Sequence, residues 1–572
     1  MSFNITSRYF LSGTYLYNLS IGLLTLVYFF GILVPIMEPD AAIYALISME
    51  MSDGNFSEIT CRGLDWLDKP HFQFWITSIV FKIFGISGAG YKLTSLFIFL
   101  LGVIYTYKYG KKFYSHLTGV FAAIILMTSW HIIISNNDVR AEPILTGFTI
   151  ISLYYFASYL KEKKLFQLVI GSFFIGLLIM TKGIFAILPV AGGVLFSLII
   201  DKKWKEIFHW QWLLTIAFAL FFISPSIWAY YQQFDVQPDK VVFGESNVSG
   251  VKFFLWDSQW GRFSNTGPIK GKGDLFFFLH TLLWAAAPWG LLAFAAIYAK
   301  IKSLIGEKAQ TENLTLSGFL FLFIIISISS FQLPHYINSV LPLMAILISA
   351  MLFGRNLSLK FLNAFKYIQG FQILLVAVLI ILSGVLFFEE LLNIDTLLNL
   401  IIVHALIIAL FLRSKSNLKT ILFASVLSIL SLNYFMNRDF YPKLLSYQSE
   451  SEAAFYIQKE QLDVKNLYLF FDHSEDTYQN CTNNIWAFDF YLGRTFPQLN
   501  EYSSLNDFID ERILIFTRQA GYDAIIESGR RPVIIKEFDD FPVTVATQNL
   551  DFINKKNRAS TLGKSYLLEL DK

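Results

Sequence analysis

The sequence predicts a mainly α-helical protein that crosses a membrane many times and carries a small α/β domain after its last span. Three observations predict this fold class. Of the 572 residues, 55% are hydrophobic and 15% are charged, and the mean hydropathy is +0.52, whereas soluble domains contain about 25% charged residues. Apolar runs of about twenty residues, long enough to cross the hydrocarbon layer, recur along the chain. Every second loop between these runs is basic.

We count about thirteen such runs, from residues 15–37 to residues 418–436. We expect them to be helices, because a helix pairs every backbone amide internally and lipid offers no other partner. The first run has neither a strongly basic start nor a small-residue cleavage site. We therefore interpret it as an anchor rather than a removable signal peptide.

The charges of the loops predict how the helices are oriented in the membrane. The basic loops contain Lys108, Lys111 and Lys112; Lys161, Lys163 and Lys164; Lys202, Lys203 and Lys205; Lys300, Lys302 and Lys308; Arg355, Lys360 and Lys366; and Arg413, Lys415 and Lys419. The positive-inside rule places these loops in the cytoplasm. The alternation requires that residues 72–85, a run of about fourteen, form an interfacial helix in the first outer loop. Residues 232–274 and everything after residue 436 then lie outside.

The composition changes near residue 440, which divides the chain into a membrane domain, residues 1–440, and a soluble outer domain, residues 441–572. Charges are frequent in the second part, and short apolar runs at residues 466–471 and 532–535 alternate with a helix-like pattern at residues 505–513. This pattern favours a small mixed α/β domain.

Net charge and cysteine content exclude several classes of function. A formal net charge of +2 gives no reason to expect a nucleic acid partner. The two cysteines, Cys61 and Cys481, have no metal-finger or redox spacing. Both are predicted to face an oxidising compartment, where a disulfide between them is one alternative and two free thiols are the other.

Polar clusters end several spans on the predicted outer face. They are Glu38-Pro39-Asp40, Asp68-Lys69-Pro70, residues 136–143, Thr181-Lys182-Gly183 and residues 332–336. A carboxylate at the mouth of a membrane helix, with a lysine returning to the same face, suits the activation of an acceptor beside an anionic lipid headgroup. Ionisable groups at membrane depth are costly and by default functional. This pattern predicts an enzyme that works at the bilayer surface.

Single residues in these clusters have simpler interpretations. Asp40 is also a favourable N-cap for a helix that starts near Ala41. Lys69 is also placed to extend its ammonium into the headgroup layer. His335 has the alternative role of a hydrogen-bonding residue at a helix end, and we assign it only to the pocket wall.

The order of these motifs resembles the lipid-linked-sugar glycosyltransferases of the GT-C superfamily, in particular the bacterial aminoarabinose transferases and their protein O-mannosyltransferase relatives. The resemblance covers about the first 350 residues. The matching elements are Asp40 before Tyr44-Ala45; Asp68-Lys69-Pro70 with Phe72, Phe74 and Trp75; Arg140 with Glu142; Lys182-Gly183; Asp257 to Arg262-Phe263; and Leu333 to Tyr336. The departures are Ala41 where a second acid is usual, Ile43 for an arginine, Gln332 for a lysine and Ile184 for a proline.

The resemblance implies an inverting transferase that moves a sugar from a polyprenyl phosphate to a lipid, glycan or protein acceptor. It implies Lys69 as the main phosphate-binding cation, with Arg140, Lys182 and Arg262 adding charge. Asp40 is the candidate general base, and Glu142 completes the catalytic pocket. If the acceptor is itself a phosphate, Asp40 orients it instead. The other candidate pocket residues are Glu38, Tyr44, Asp138, Asp257, His335 and Tyr336.

The expected partners are therefore the polyprenyl-phosphate sugar, its acceptor and membrane lipid. Since one or two cations can stabilise a phosphate leaving group, no cofactor is required, although a divalent ion is not excluded. The carboxylate spacing fixes no metal site. The expected location is a bacterial inner membrane, with residues 441–572 in the periplasm.

Two other classes of protein compete with this interpretation. A transporter or flippase of lipid-linked sugars would need ionisable groups or broken helices near the midplane, whereas the clusters here lie at helix ends. A structural subunit gives no reason for Asp40, Lys69 and Glu142 to converge.

Overall fold

The fold is that of a computed structural model, which describes residues 13–242, 244–266, 271–305, 312–354, 357–413, 417–471, 485–499, 512–544 and 549–570. Helices dominate these residues. In the first half they are α1 (Gly13–Gly31), α2 (Asp40–Asp53), α3 (Phe72–Phe84), α4 (Gly88–Phe113), α5 (His116–Met127), α6 (Trp130–Asn137), α7 (Glu142–Glu162), α8 (Leu165–Lys182), α9 (Leu188–Ile200), α10 (Trp204–Ile207), α11 (Gln211–Tyr230), α12 (Gly250–Lys252) and α13 (Ser258–Ser264).

The second half continues the helical array. Its helices are α14 (Phe277–Ala285), α15 (Gly290–Ile305), α16 (Leu314–Ile328), α17 (Leu341–Phe353), α18 (Leu359–Leu386), α19 (Ile394–Arg413), α20 (Leu418–Phe435), α21 (Tyr441–Leu445), α22 (Ser449–Lys459), α23 (Trp486–Leu492), α24 (Gln519–Glu527) and α25 (Leu550–Ile553). Short 3-10 turns occur at Ile184–Ile187, Pro334–Val340 and Arg558–Ser560, and π-helical turns at Tyr231–Asp235, Phe253–Asp257 and Met436–Phe440.

Membrane-spanning helices make the chain a multi-pass membrane protein. Within the described residues, eight helical segments are long and apolar enough to cross a bilayer, and the number rises to ten if α5 with α6 and α14 with α15 each count as one bent span. These pairs bend by 54° and 115°. The expected thirteen apolar runs exceed these ten spans, because helices too short to count as long spans also form apolar runs in the sequence. Four shorter apolar helices remain: Tyr17–Gly31, Phe72–Phe84, Ile184–Ile200 and Leu314–Ile328.

The basic loops meet at one end of the helices. Lys112 at the end of α4 forms an ion pair of 2.5 Å with Glu162 at the end of α7. Lys163 pairs at 2.5 Å with Glu206 of the short helix α10. Polar clusters of the predicted outer face lie at the other ends of α7 and α8, at Glu142 and Lys182.

Two glycines set the spacing between α4 and α7. A Cβ built on Gly102 would lie 2.6 Å from the Cα of Gly147, and a Cβ on Gly147 would lie 2.5 Å from the backbone oxygen of Ile98. Small residues allow membrane helices to approach this closely. The contact fixes the position of α7, whose first residue is Glu142.

The first outer loop contains a short hairpin of β1 (Thr60–Cys61) and β2 (Leu64–Asp65). Arg62 and Gly63 turn it with φ values of 55° and 76°, as a tight two-residue hairpin turn requires. Glu50 of α2 holds this turn by accepting hydrogen bonds from the Arg62 amide (2.6 Å) and the Thr60 hydroxyl (2.9 Å). Cys61 is buried and disulfide-bonded. Its predicted partner, Cys481, lies outside the described residues.

A mixed sheet follows the last span. Its described strands are β3 (Leu467–Phe470), β4 (Gln498–Leu499), β5 (Ile513–Arg518), β6 (Val533–Asp540) and β7 (Gly563–Leu570), in the order β4-β3-β5-β7-β6. Strand β3 pairs in parallel with β4 and β5. Strand β7 lies between β5 and β6 and pairs antiparallel with both. Apolar clusters cover the sheet, one including Leu467 and Phe516 and another including Ile515 and Leu568.

Arg558 joins the sheet region to the membrane helices. It donates to the backbone oxygen of Phe387 (2.5 Å), the Glu389 carboxylate (2.5 Å) and the Tyr447 hydroxyl (2.6 Å). The guanidinium also lies 4.4 Å from the centre of the Phe387 ring. These contacts satisfy a nearly buried charge and anchor the region after residue 440 to the end of α18.

We predict that Gly147→Ala destabilises the protein, because its new methyl group would meet the α4 backbone. Overpacking of this kind typically costs about 1–3 kcal/mol. The matched control is Gly22→Ala in α1, where nothing lies within 4 Å of the new Cβ. Thermal unfolding in detergent should show a lower midpoint for Gly147→Ala only. Equal midpoints for the two variants would contradict the assigned contact.

Candidate active site

Asp40, at the start of α2, is the first acid of the candidate site. The chain leaves α1 at Gly31, and Asp40 is the first residue of α2. The N-cap position is taken by Pro39 and shows no side-chain capping hydrogen bond, so the interpretation of Asp40 as an N-cap is wrong. Its carboxylate Oδ2 instead lies 2.5 Å from Nη1 of Arg140. An acid in the first helical turn is also favoured by the helix dipole.

Arg140 joins two carboxylates. Besides Asp40, it binds Asp138 through Nη2 (2.9 Å) and Nε (3.0 Å), both to Oδ2. Asp138 follows the last residue of α6, and burial raises the pKa of its carboxyl, an effect that the Arg140 charge opposes. The guanidinium is 23% exposed and the Asp40 carboxylate 39%. This ion network is therefore partly open on its Asp40 side.

A second ion pair lies beside the first. Glu142 begins α7 and Lys182 ends α8, and the Lys182 ammonium donates to the nearly buried Glu142 carboxylate. His335 Nε2 lies 3.6 Å from the same carboxylate oxygen. The Lys182 ammonium is also 4.8 Å from the centre of the Tyr336 ring. Residues from three distant parts of the sequence thus meet at one end of the spans.

The backbone conformation and the close packing after Lys182 both require a glycine at position 183. Its φ is 87°, in the left-handed region that favours glycine. A Cβ at this position would lie 2.6 Å from Nε2 of Gln259. The glycine therefore ends α8 directly under α13 and keeps Lys182 beside that helix.

Lys69 pairs with its neighbour Asp68. Its side chain is only 13% exposed, so most of it is packed within the protein. The Tyr230 hydroxyl donates to the Lys69 backbone oxygen at 3.2 Å. Tyr44 links this pair to the Arg140 network: burial, and then the charges of Asp40 and Asp68, raise the pKa of its phenol.

A partly open cavity of about 120 Å³ lies beside Lys182. Glu142, Lys182, His335 and Tyr336 form its polar end. Its other lining residues are Leu145, Phe185, Ala186, Leu188, Ser258, Gln259, Phe263, Leu322, Ile325, Ile326, Ser329, Phe331 and Ser339. The sequence did not identify these wall residues. The resemblance at residues 257–263 was the only sequence signal for any part of this wall. The apolar wall residues cannot be distinguished in the sequence from other apolar residues of a membrane helix.

Three predicted residues lie apart from this cluster or cannot be placed. Asp257 lies 3.4 Å from Lys252 and is 42% exposed. The side chain of Arg262 lies outside the described residues, although its backbone belongs to α13. Glu38 faces the region after residue 440: its Oε1 accepts from the Ala487 amide at 2.7 Å, and its own amide donates to Gln448 at 2.9 Å.

Glu38 belongs to a buried acidic cluster at this interface. Burial, and then the charge of Glu450, raise the pKa of Glu38 well above its usual range. Burial and the Asp540 carboxylate raise the pKa of Glu450 to about 7, although Arg518 donates to it at 3.0 Å. The Glu38 carboxylate is therefore engaged by the region after residue 440, whereas the Asp40 carboxylate pairs with Arg140.

Among the described residues, no three histidine, cysteine or acidic side chains converge as a metal site. The carboxylates of the site each face a cation instead. The expectation that no metal is required stays a prediction.

Comparisons with known proteins bear on the same region. The family model described as dolichyl-phosphate-mannose-protein mannosyltransferase matches residues 68–228, less than half of the chain. An uncharacterised protein of Aquifex aeolicus is 27% identical over 338 residues, 57% of this chain and 62% of the relative. An undecaprenyl phosphate-alpha-4-amino-4-deoxy-L-arabinose arabinosyl transferase of Erwinia tasmaniensis is 23% identical over 326 residues, 54% of each chain. The chain thus matches little more than half the length of these curated relatives.

Solved structures show the fold. The crystal structure of ArnT from Cupriavidus metallidurans bound to undecaprenyl phosphate superposes with a TM-score of 0.72, at 16% identity, over 96% of this chain and 97% of that one. Its apo form gives a TM-score of 0.70. The resemblance to GT-C glycosyltransferases of the aminoarabinose transferase type is therefore confirmed.

We predict that the interface around Glu38 and Glu450 weakens as pH rises. A carboxyl whose pKa is raised by folding binds a proton more tightly in the folded than in the unfolded state. Its stabilising contribution is therefore present at low pH and is lost as pH rises from about 4.5 through about 7. Glu450→Gln should flatten this dependence, which amounts to at most about 3 kcal/mol.

Thermal unfolding between about pH 5 and about pH 8 tests this prediction. The control is Glu452→Gln in the same helix, whose pKa is also raised by burial but to a lesser extent. A parent protein whose midpoint does not fall across this range, or a Glu450→Gln variant with the same slope as the parent, would contradict it.

Proposed function

We propose that the chain is an inverting glycosyltransferase that moves a hexosyl or pentosyl group from a polyprenyl phosphate to a lipid, glycan or protein acceptor. The observation that carries the proposal is the cavity whose apolar walls include residues of the apolar helices α7 and α16 and whose polar end holds Lys182 and Glu142. A polyprenyl phosphate has the matching form, an apolar chain with an anionic headgroup. The similarity to an arabinosyl transferase that uses undecaprenyl phosphate supports this donor class.

Three of the four candidate cations pair with acids, and the side chain of the fourth, Arg262, lies outside the described residues. Lys69 pairs with Asp68, Arg140 with Asp40 and Asp138, and Lys182 with Glu142. These pairs make the charges tolerable in a poorly hydrated site. A donor phosphate would compete with the acids for the same N–H donors, so its binding rearranges ion pairs that already exist and adds no uncompensated charge.

Asp40 is the proposed general base. It is the most exposed carboxylate of the Arg140 network, and transfer of Arg140 to the phosphate would release it. The acceptor hydroxyl oxygen then forms a bond to the anomeric carbon while Asp40 takes its proton. The bond from that carbon to the phosphate oxygen breaks, and its electron pair stays on the phosphate. Lys69, Arg140 and Lys182 stabilise the resulting dianion.

The proposed topology places this site on the periplasmic face of a bacterial inner membrane. The basic loops meet at the opposite end of the spans, which the positive-inside rule assigns to the cytoplasm. The ten long or bent spans, together with Tyr17–Gly31, Ile184–Ile200 and Leu314–Ile328, give the thirteen crossings that the loop charges require. The short helix Phe72–Phe84 is then interfacial. Residues 1–440 form the catalytic domain, and residues 441–572 a periplasmic domain that covers it.

A flippase of lipid-linked sugars is the alternative class. The ion pairs described here do not favour it, because they lie at helix ends on one face rather than along a path through the bilayer.

The test is transfer of labelled sugar from synthetic undecaprenyl-phosphate sugars to a crude envelope fraction by the purified protein. Lys182→Met and Asp40→Asn should each reduce transfer about 100-fold or more, since they remove a charge from the leaving group or the proton acceptor. The parent should retain transfer in the presence of EDTA if no metal is required.

Lys272→Met and Asp53→Asn are the controls. Lys272 is an exposed lysine in the segment before α14, and Asp53 is an exposed residue at the other end of the helix that Asp40 begins. Both should transfer sugar at the parent rate. Failure of the parent to transfer from any donor, combined with movement of the donor across liposomes, would refute the transferase and establish the flippase.

A further inference from the structure

The connection between α1 and α2 leads directly to Asp40. Residues 32–39, which the structure describes in full, form neither a helix nor a strand. A buried backbone needs hydrogen-bond partners, and this connection receives them from side chains of distant parts of the chain. On the side of the membrane helices, the buried Lys92 of α4 donates to the Pro35 oxygen at 3.2 Å. On the other side, the partners come from the region after residue 440.

Gln448 binds the connection at two places. Its Nε2 donates to the Ile36 oxygen at 3.0 Å, and its Oε1 accepts from the Glu38 amide at 2.9 Å. This pattern fixes the orientation of the side-chain amide, because a flipped amide would bring donor against donor and acceptor against acceptor. Gln448 lies directly before α22 and is only 2% exposed. Little water can therefore replace these two hydrogen bonds.

α23 supplies further hydrogen bonds to the same segment. The Ile36 amide donates to the Tyr491 hydroxyl at 2.7 Å, and the Ala487 amide donates to the Glu38 carboxylate at 2.7 Å. Both backbone groups of Ile36 and the amide of Glu38 are thus bound by side chains of the region after residue 440.

Residues 36–38 are also bonded to the first turn of α2. The backbone oxygen of Met37, at their centre, accepts from the Ala42 amide at 3.2 Å. Asp40 belongs to that turn. A displacement of residues 36–38 is therefore transmitted to the turn that carries the proposed base.

We propose that Gln448 is a positioning residue for the transfer reaction: by binding Ile36 and Glu38, it sets where the Asp40 carboxylate lies relative to the acceptor hydroxyl. Gln448 does not line the cavity beside Lys182 and acts only through Asp40. This inference rests on the proposed function. A misplacement of about 1 Å can cost about 100-fold in rate, so two hydrogen bonds are enough to make transfer depend on a residue outside the membrane helices.

A purely structural role makes a different prediction. If Gln448 only stabilised the fold, its loss would lower the amount of folded protein, and each folded molecule would transfer sugar at the parent rate. A positioning role lowers kcat of the folded protein. It leaves donor KM unchanged, because Asp40 takes a proton from the acceptor and does not bind the donor.

The experiment measures kcat per folded molecule and donor KM for the parent, Gln448→Met, Asp40→Asn and the double variant. Methionine keeps the length of the side chain and removes both hydrogen bonds. We expect Gln448→Met to lower kcat about tenfold and to leave donor KM within about twofold of the parent value. Within the residual transfer of Asp40→Asn, the same substitution should cost about twofold or less, because the carboxylate that it positioned is gone.

The matched control is Gln458→Met. Gln458 is an exposed glutamine of α22 whose amide donates to the Tyr491 backbone oxygen at 2.5 Å, a bond within the region after residue 440. Its loss removes the same chemical group from the same helix, and kcat and donor KM should match those of the parent.

Tyr491→Phe is a second, milder variant. It keeps the ring and removes only the acceptor of the Ile36 amide. We expect kcat to fall about threefold, again without a change in donor KM and again only while Asp40 is present.

The outcomes separate the two proposals. An inactive parent overturns the proposed function and this inference with it. An active parent for which Gln448→Met keeps the parent kcat, raises donor KM as kcat falls, or loses the same factor with and without Asp40 overturns this inference alone. If transfer by Asp40→Asn is too slow to measure, the kcat and donor KM values decide.

Failure of Gln448→Met to fold leaves the decision to Tyr491→Phe. Folding is judged by size-exclusion chromatography in detergent. A folded Tyr491→Phe protein with the parent kcat, or with a donor KM that rises as kcat falls, contradicts the positioning role.

Discussion

The ion pairs of Arg140 with Asp40 and Asp138 are the interaction on which the site depends. Charges at the ends of membrane helices are only partly hydrated, and each needs a partner of opposite sign. Arg140 supplies that partner to two acids at once and thereby ties the start of α2 to the segment between α6 and α7. Glu142, two residues further, then directs its carboxylate to Lys182 of α8. One short segment therefore brings three helices and the proposed base to one place.

The scaffold holds these pairs in register through close helix contacts. Gly102 and Gly147 let α4 and α7 approach until their backbones touch. The same two helices carry Lys92 and Glu142 near their N-terminal ends, so a shift between the helices would change the separation between the buried lysine and the Arg140 network. Gly183 has a comparable effect at the end of α8, where it leaves room for Gln259 beside Lys182.

Much of this could be predicted from the sequence, because lipid limits the options for the chain. The alternating loop charges predicted that five site residues lie on one face: Asp40, Lys69, Arg140, Lys182 and His335. In the structure, Asp40 pairs with Arg140, and the Glu142 carboxylate lies close to both Lys182 and His335. The ion-pair partners of these residues were not predictable from the sequence. An aspartate at the start of a helix is expected to be an N-cap unless its neighbour in the tertiary structure is known. The breaks within two of the spans were also not predictable. Hydropathy is continuous across Thr128 and Ser129 and across Ala286 to Pro288, where the backbone bends. The burial of Lys92 was not predicted, because a single lysine near the start of a membrane helix is usually an interfacial residue.

Glu38 and Asp40 show how neighbouring acids acquire different roles. They are separated by one proline, yet Glu38 accepts a hydrogen bond from Ala487 whereas Asp40 binds Arg140. The Glu38 amide and the Ile36 carbonyl both bind Gln448, and the Tyr491 hydroxyl bonds to the Ile36 amide. The connection between α1 and α2 is therefore held from one side by the region after residue 440 and from the other by Lys92 of the membrane helices. Because this connection ends at Asp40, any displacement of the sheet region acts directly on the segment that positions the proposed base. The sheet region is thus mechanically part of the site, although none of its described side chains lines the cavity beside Lys182.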